Sequence, residues 1–141
     1  VGKPAVAAAL CHDWGRCVGI EVLRDLHALT ARVEAEWEKA KPRLPEAKQK
    51  TELTFIHGDA TALEWGDAEL VFMNSTCFDD GLMARLAHKA QGLAPGSLVV
   101  TTTRRLPSTE FEVVDQCKMK ESWGEATVYV QRRKQATTTV L

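Results

Sequence analysis

Apolar and polar residues along the chain fall into blocks whose periods separate strands from helices. Lys3 to Asp13 is rich in alanine, with Val6 and Leu10, and reads as a short helix ended by Trp14-Gly15. Cys17-Val18-Gly19-Ile20, closed by Glu21, is the short apolar run of a buried parallel strand. From Val22 to about Lys41, Leu23, Leu26, Leu29, Val33 and Trp37 recur at steps of three and four, with charge between them, which predicts a long helix with one apolar face. Leu53-Thr54-Phe55-Ile56 predicts a second strand, followed by His57-Gly58-Asp59, and Glu69 to Met73 a third, terminated by Asn74. A helix is expected over Asp79 to Gln91, with Leu82, Leu86 and Ala90 on one face. After a Pro95-Gly96 turn, Ser97 to Thr103 is a β-branched fourth strand. Phe111 to Met119 and Ala126 to Gln131 predict a closing strand pair joined around Ser122-Trp123-Gly124. Residues 1–134 read as one domain, and 135–141, which follow no such pattern, as a disordered tail.

The order helix, strand, helix, strand, strand, helix, strand, then two strands predicts an α/β fold. Its sheet is expected to be mostly parallel, with helices on both faces and an antiparallel pair at the C-terminal end. In such sheets ligands sit beyond the carboxyl ends of the strands, at the topological switch point. That rule singles out Glu21, Asp59 and Asn74, the polar residues that close three successive strands.

Composition narrows the function classes only a little. A 45% apolar and 26% charged chain of 141 residues is ordinary for a globular domain, and its formal net charge of −1 supplies no general field for nucleic acid or anionic membrane. No apolar run reaches membrane-span length, and no signal peptide is visible. Cys11, Cys17, Cys77 and Cys117 make no C-x-x-C pair and are expected to be small buried hydrophobes in a reducing compartment. His12, His27, His57 and His88 are scattered, so no metal site is expected.

Each of the three strand-ending residues has two readings. Glu21 can accept hydrogen bonds from a ribose diol, or stabilise a helix N-terminus. Asp59 can accept from an adenine amino group, or form an Asx turn or helix cap. Asn74 can donate and accept beside a polar substrate head with Phe78 walling an apolar channel, or cap the next helix. Val1-Gly2, just before a helix start, can leave free N–H groups facing an anionic group.

Taken together, Val-Gly-x-Pro-x-Val-x-x-Ala at Val1 to Ala9, Gly-Ile-Glu at Gly19 to Glu21, Gly-Asp at Gly58-Asp59 and Val-Phe-Met-Asn-x-x-x-Phe at Val71 to Phe78 resemble the disruptor-of-telomeric-silencing (DOT) histone lysine methyltransferases. Ser122-Trp123-Gly124 followed by Tyr129 resembles that family's late Ser-Trp segment and tyrosine. Ser75 and Thr76 stand where the family often carries a second asparagine and then a phenylalanine, and Ala60 where it often carries an aromatic over adenine. The resemblance implies a Rossmann-like class I methyltransferase that binds S-adenosyl-L-methionine. It places Val1, Gly2, Glu21, Asp59, Ala60 and Asn74 at the cofactor, and Asn74, Phe78, Trp123 and Tyr129 at the reacting end. A histone, a nucleosome or another protein lysine would be the partner, in the nucleus or cytoplasm and not secreted. Arg104-Arg105 and Arg132-Arg133-Lys134 read first as solvated charge at strand ends, with a basic rim for DNA phosphates as the alternative. It also implies that the first strand and Gly-rich loop lie upstream of Val1, so that the chain alone lacks a central strand. A methyltransferase of the same fold with a small-molecule or non-histone substrate, an NAD-binding oxidoreductase using Glu21 on the ribose, and a non-catalytic cofactor-binding module are the competing readings.

Overall fold

The computed structural model describes residues 1–137, which divide into two compact units, residues 1–63 and residues from Glu64 onward. The first unit holds helix α1 (Lys3–Cys11), strand β1 (Arg16–Glu21), the long helix α2 (Arg24–Ala40), a short helix α3 (Glu46–Gln49) and strand β2 (Glu52–His57). β1 and β2 pair in parallel from Arg16↔Glu52 to Glu21↔His57. The second unit holds β3 (Leu70–Met73), helix α4 (Asp80–Ala90), β4 (Leu98–Thr102), β5 (Phe111–Glu121) and β6 (Gly124–Arg133). Its sheet has the order β3-β4-β6-β5. β3 and β4 are parallel, whereas β6 runs antiparallel to both β4 and β5. The expected elements are therefore present in the expected order, as an α/β fold with parallel pairings early and an antiparallel pair at the end. Of the tail expected at 135–141, residues 138–141 lie outside the described residues.

The core of the first unit is Ala9, Cys17, Trp37 and Leu53, with Val6, Trp14, Val33, Leu44 and Phe55 packed against it. Small residues on α1 allow close contact with β1. A Cβ on Gly2 or Gly19 would lie 2.8 or 2.4 Å from the Phe55 ring, so this ring fixes glycine at both positions. Trp37 is buried, and its Nε1–H donates to the Thr51 carbonyl at 3.3 Å.

α2 does not bury the leucine stripe that its periodicity predicts. Leu23, Leu26 and Leu29 are exposed, Leu29 by 57%, while the inward stripe is His27, Thr30, Val33, Glu34 and Trp37. The reason is the outer edge of β2. Phe55 N–H donates to Glu34 Oε1 at 2.8 Å, and the His27 ring nitrogen Nε2 lies 3.3 Å from the Phe55 carbonyl. A strand with a partner on one side has backbone groups to satisfy on the other, and here helix side chains do it.

The cysteines also correct the sequence expectation. Cys17 alone is buried, and burial pushes its thiol pKa up; Cys11, Cys77 and Cys117 are exposed. In the second unit, Val99, Thr101, Met83, Leu86, Ala87, Ala90, Leu93, Leu106 and Gln131 are buried. The Gln131 side chain satisfies the Leu106 backbone at both ends, accepting from its N–H and donating to its carbonyl.

Candidate active site

In the first unit, two polar side chains stand at the carboxyl ends of β1 and β2. Glu21 is the last residue of β1, and its Oε1 accepts from Leu23 N–H at 2.9 Å, just ahead of α2. Its second oxygen has no partner among the described residues. The Glu21 carbonyl accepts from Gly58 N–H at 3.0 Å, which ties the ends of the two strands together. Asp59 follows β2, and its Oδ1 accepts from both Thr61 N–H and Thr61 Oγ1 at 2.8 Å, so the Asx turn is formed here. Ala60 lies beside it, half-buried.

The histidines are scattered along the sequence, but the fold stacks His27 and His57 with ring centroids 5.2 Å apart. His57 is the register partner of Glu21, and its Nε2 lies 3.2 Å from the Val22 carbonyl. The pair therefore braces the β1–α2 turn that carries Glu21. Only tertiary structure joins positions thirty residues apart, one on a helix and one on a strand.

Gly2 occupies the left-handed region at φ 75° and caps α1, with proline in the helix's first turn and no side-chain cap bond. Val1 is 45% exposed beside it. The first N–H groups of α1 thus have no side-chain acceptor from their own cap.

In the second unit, Asn74 follows β3 directly and opens a loop that leads to α4. It is not the cap of α4: Asp79 is, with its side chain accepting from Leu82 N–H at 2.7 Å. Asn74 Oδ1 instead accepts from Thr102 Oγ1 at 2.8 Å and from Thr76 Oγ1 at 3.2 Å. Of the donor and acceptor ends that an asparagine offers, the acceptor is used internally.

The loop is fastened to the end of β4 by further bonds. Buried Ser75 donates to the Thr102 carbonyl at 2.7 Å. Arg104 donates to the Phe78 carbonyl and pairs with Asp80. Between them Arg104 N–H reaches back to the Thr102 carbonyl at 2.7 Å, around Thr103 at φ 66°. A β-branched residue at positive φ in a γ-turn is rare and costs of order 1–3 kcal/mol. Nothing in the residue pattern marks Thr102, Thr103 or Arg104 for this role, because β-branched runs ordinarily mean only strand.

Phe78 is half-buried at the end of this loop. Tyr129 is half-buried in the middle of β6, opposite Thr101 and Gln116. Trp123 is at the tip of the β5–β6 hairpin and 56% exposed. Thr102 pairs with Val128, so the hairpin overhangs the carboxyl edge of β4 by five residues, roughly 16 Å at strand rise. Trp123 and Asn74 therefore belong to the same edge of this sheet but not to one contact.

The two basic groups lie at opposite ends of β4. Arg104 lies just beyond the carboxyl end of β4, whereas Arg132 pairs with Leu98 at the other end of that strand. Arg133 is tied to Glu110 at 2.8 Å and lies over the Phe111 ring at 5.9 Å.

Solved structures share this arrangement. The candidate methyltransferase yhhF from Escherichia coli matches at a TM-score of 0.60 with 14% identity, over 83% of this chain and 62% of its own. TrmN from Thermus thermophilus matches at 0.63 with 15% identity, over 82% of this chain and 36% of its own. A candidate methylase from Haemophilus influenzae matches at 0.58 with 7% identity, over 86% of this chain and 74% of its own.

The fold is the Rossmann-like fold of methyltransferases.

The chain spans between about a third and two thirds of the length of the first two structures. No family model and no curated protein matches the sequence.

Proposed function

We propose that the chain carries S-adenosylmethionine-dependent methyl transfer, with a protein lysine of the DOT type as acceptor. The observation that supports the first part is a polar residue at the carboxyl end of each of β1, β2 and β3, in a fold shared with candidate methyltransferases. The carboxyl ends of strands are where open α/β sheets bind ligands. The residues fit the cofactor. Glu21 keeps one carboxylate oxygen for a ribose hydroxyl, and the uncapped start of α1 suits a carboxylate. Asp59 and Ala60 would lie at the adenine.

S-adenosylmethionine supplies a methyl group bound to a sulfonium, which a neutral amine can attack without prior activation of the methyl. The chain therefore needs no acid–base pair. Its part is to align the nucleophile and exclude water, and an apolar channel also favours the neutral form of a lysine. Asn74 and Phe78 would stand at this reacting end, with Tyr129 and the overhanging Trp123 toward the acceptor.

The lysine assignment rests on the motif run at Val1 to Ala9, Gly19 to Glu21, Gly58-Asp59 and Val71 to Phe78. A histone or nucleosome is its proposed partner. An RNA acceptor is the second reading, favoured by the likeness to a candidate tRNA (m1A22) methyltransferase from Streptococcus pneumoniae, at a TM-score of 0.50 and 13% identity. The net charge of −1 and the separation of the two basic groups favour the protein acceptor.

Asn74→Ala is expected to lower single-turnover methyl transfer far more than cofactor affinity, because the amide stands at the reacting end. Equal turnover in variant and wild type would remove Asn74 from the site.

A further inference from the structure

We propose that Thr102 is a positioning residue for Asn74, setting from the sheet the direction in which the amide faces; its effect on turnover rests on the methyl-transfer reading above. Asn74 is exposed on a loop, where an asparagine side chain ordinarily samples several rotamers. Here its Oδ1 accepts from Thr102 Oγ1 at 2.8 Å and Thr76 Oγ1 at 3.2 Å, which fills both lone pairs of the carbonyl oxygen. The Nδ2 hydrogens have no partner among the described residues and are left as outward donors.

The two anchors differ in stiffness. Thr76 lies on the same loop as Asn74, within a single 3-10 turn. Thr102 is 5% exposed at the end of β4, in register with Val128 of β6. Its carbonyl also accepts from Ser75 Oγ and Arg104 N–H, both at 2.7 Å. Thr103 Oγ1, 3.0 Å from Thr76 Oγ1, steadies the weaker anchor from the same strained turn. The sheet thus holds the amide through a buried hydroxyl. Thr102 touches no reacting atom in this account and acts through Asn74.

Asn74 is the only asparagine in the chain, so its side chain can be observed alone. The protein labelled with 15N at asparagine Nδ2 should give one pair of amide proton signals, displaced from those of a free asparagine. Thr102→Val keeps the shape of the side chain and removes the hydroxyl. It should move the pair to free-asparagine positions, and Thr102→Ser should restore it. In parallel, Thr102→Val should lower methyl-transfer turnover by about 10-fold or more, with cofactor affinity nearly unchanged and with rescue by serine. An unmoved amide pair in Thr102→Val overturns the anchor whatever the activity. A moved pair with unchanged turnover overturns the positioning role. A wild-type protein that transfers no methyl group overturns the methyl-transfer reading and the positioning role with it, while the amide signals still report on the anchor.

Discussion

Glu21 commits one carboxylate oxygen to Leu23 N–H, and the ligand role proposed for it rests on the other. The two readings open at sequence level are thus compatible on one side chain. Glu21→Ala removes both, and Glu21→Gln keeps an acceptor for Leu23 while discarding the charge. Calorimetry with S-adenosylmethionine should show a loss of about 1.5–3 kcal/mol for the alanine variant, the usual worth of hydrogen bonds to a charged group, and a smaller loss for glutamine. Unchanged affinity in a folded Glu21→Ala protein would leave Glu21 with its bond to Leu23 N–H as its only role. At this scale the placing of Glu21, Asp59 and Asn74 at strand ends was legible, because each stands where an apolar run stops. How their atoms are used was not. The Asx turn at Asp59 and the hydroxyls on Asn74 Oδ1 come from neighbours that periodicity leaves unmarked. The His27–His57 stack and the Arg104 clasp depend on contacts between distant segments.

Among the elements, β4 holds the most chemistry in the least space. Thr102 bonds the loop, Thr103 turns the chain, and Thr101 is fully buried with no partner for its hydroxyl among the described residues. A buried hydroxyl without a partner costs free energy that an apolar isostere avoids. Thr101→Val should therefore raise the unfolding free energy by about 1 kcal/mol. Urea unfolding measures it, and a lower midpoint for the valine variant would mean that the hydroxyl has a partner. Element order was legible because strands and helices differ in length and period. Which face of a helix turns inward was not. α2 shows a regular leucine stripe, yet it turns Glu34 and His27 inward to satisfy the edge of β2. A pattern of apolar residues does not register backbone groups that need partners.

For the whole molecule, the α/β class and the closing antiparallel pair followed from the succession of elements, whereas the division into two compact units did not. No composition shift marks the boundary at residues 63–64, which falls inside an ordinary loop. The likeness to the solved structures of yhhF and TrmN extends over more than four fifths of the chain at 14–15% identity. At that distance fold survives while sequence matching fails, and the short motifs at strand ends are what remains readable. The claim that this fold carries methyl transfer is tested most directly with S-adenosylmethionine tritiated on its methyl group. The protein would be incubated with nucleosomes, with free histones and with tRNA in parallel, and the acceptor then digested to locate the label. Label on lysine is the predicted result; label on tRNA would keep the methyl transfer and replace the acceptor. No label on any acceptor, together with no binding of S-adenosylmethionine by calorimetry, would contradict the account.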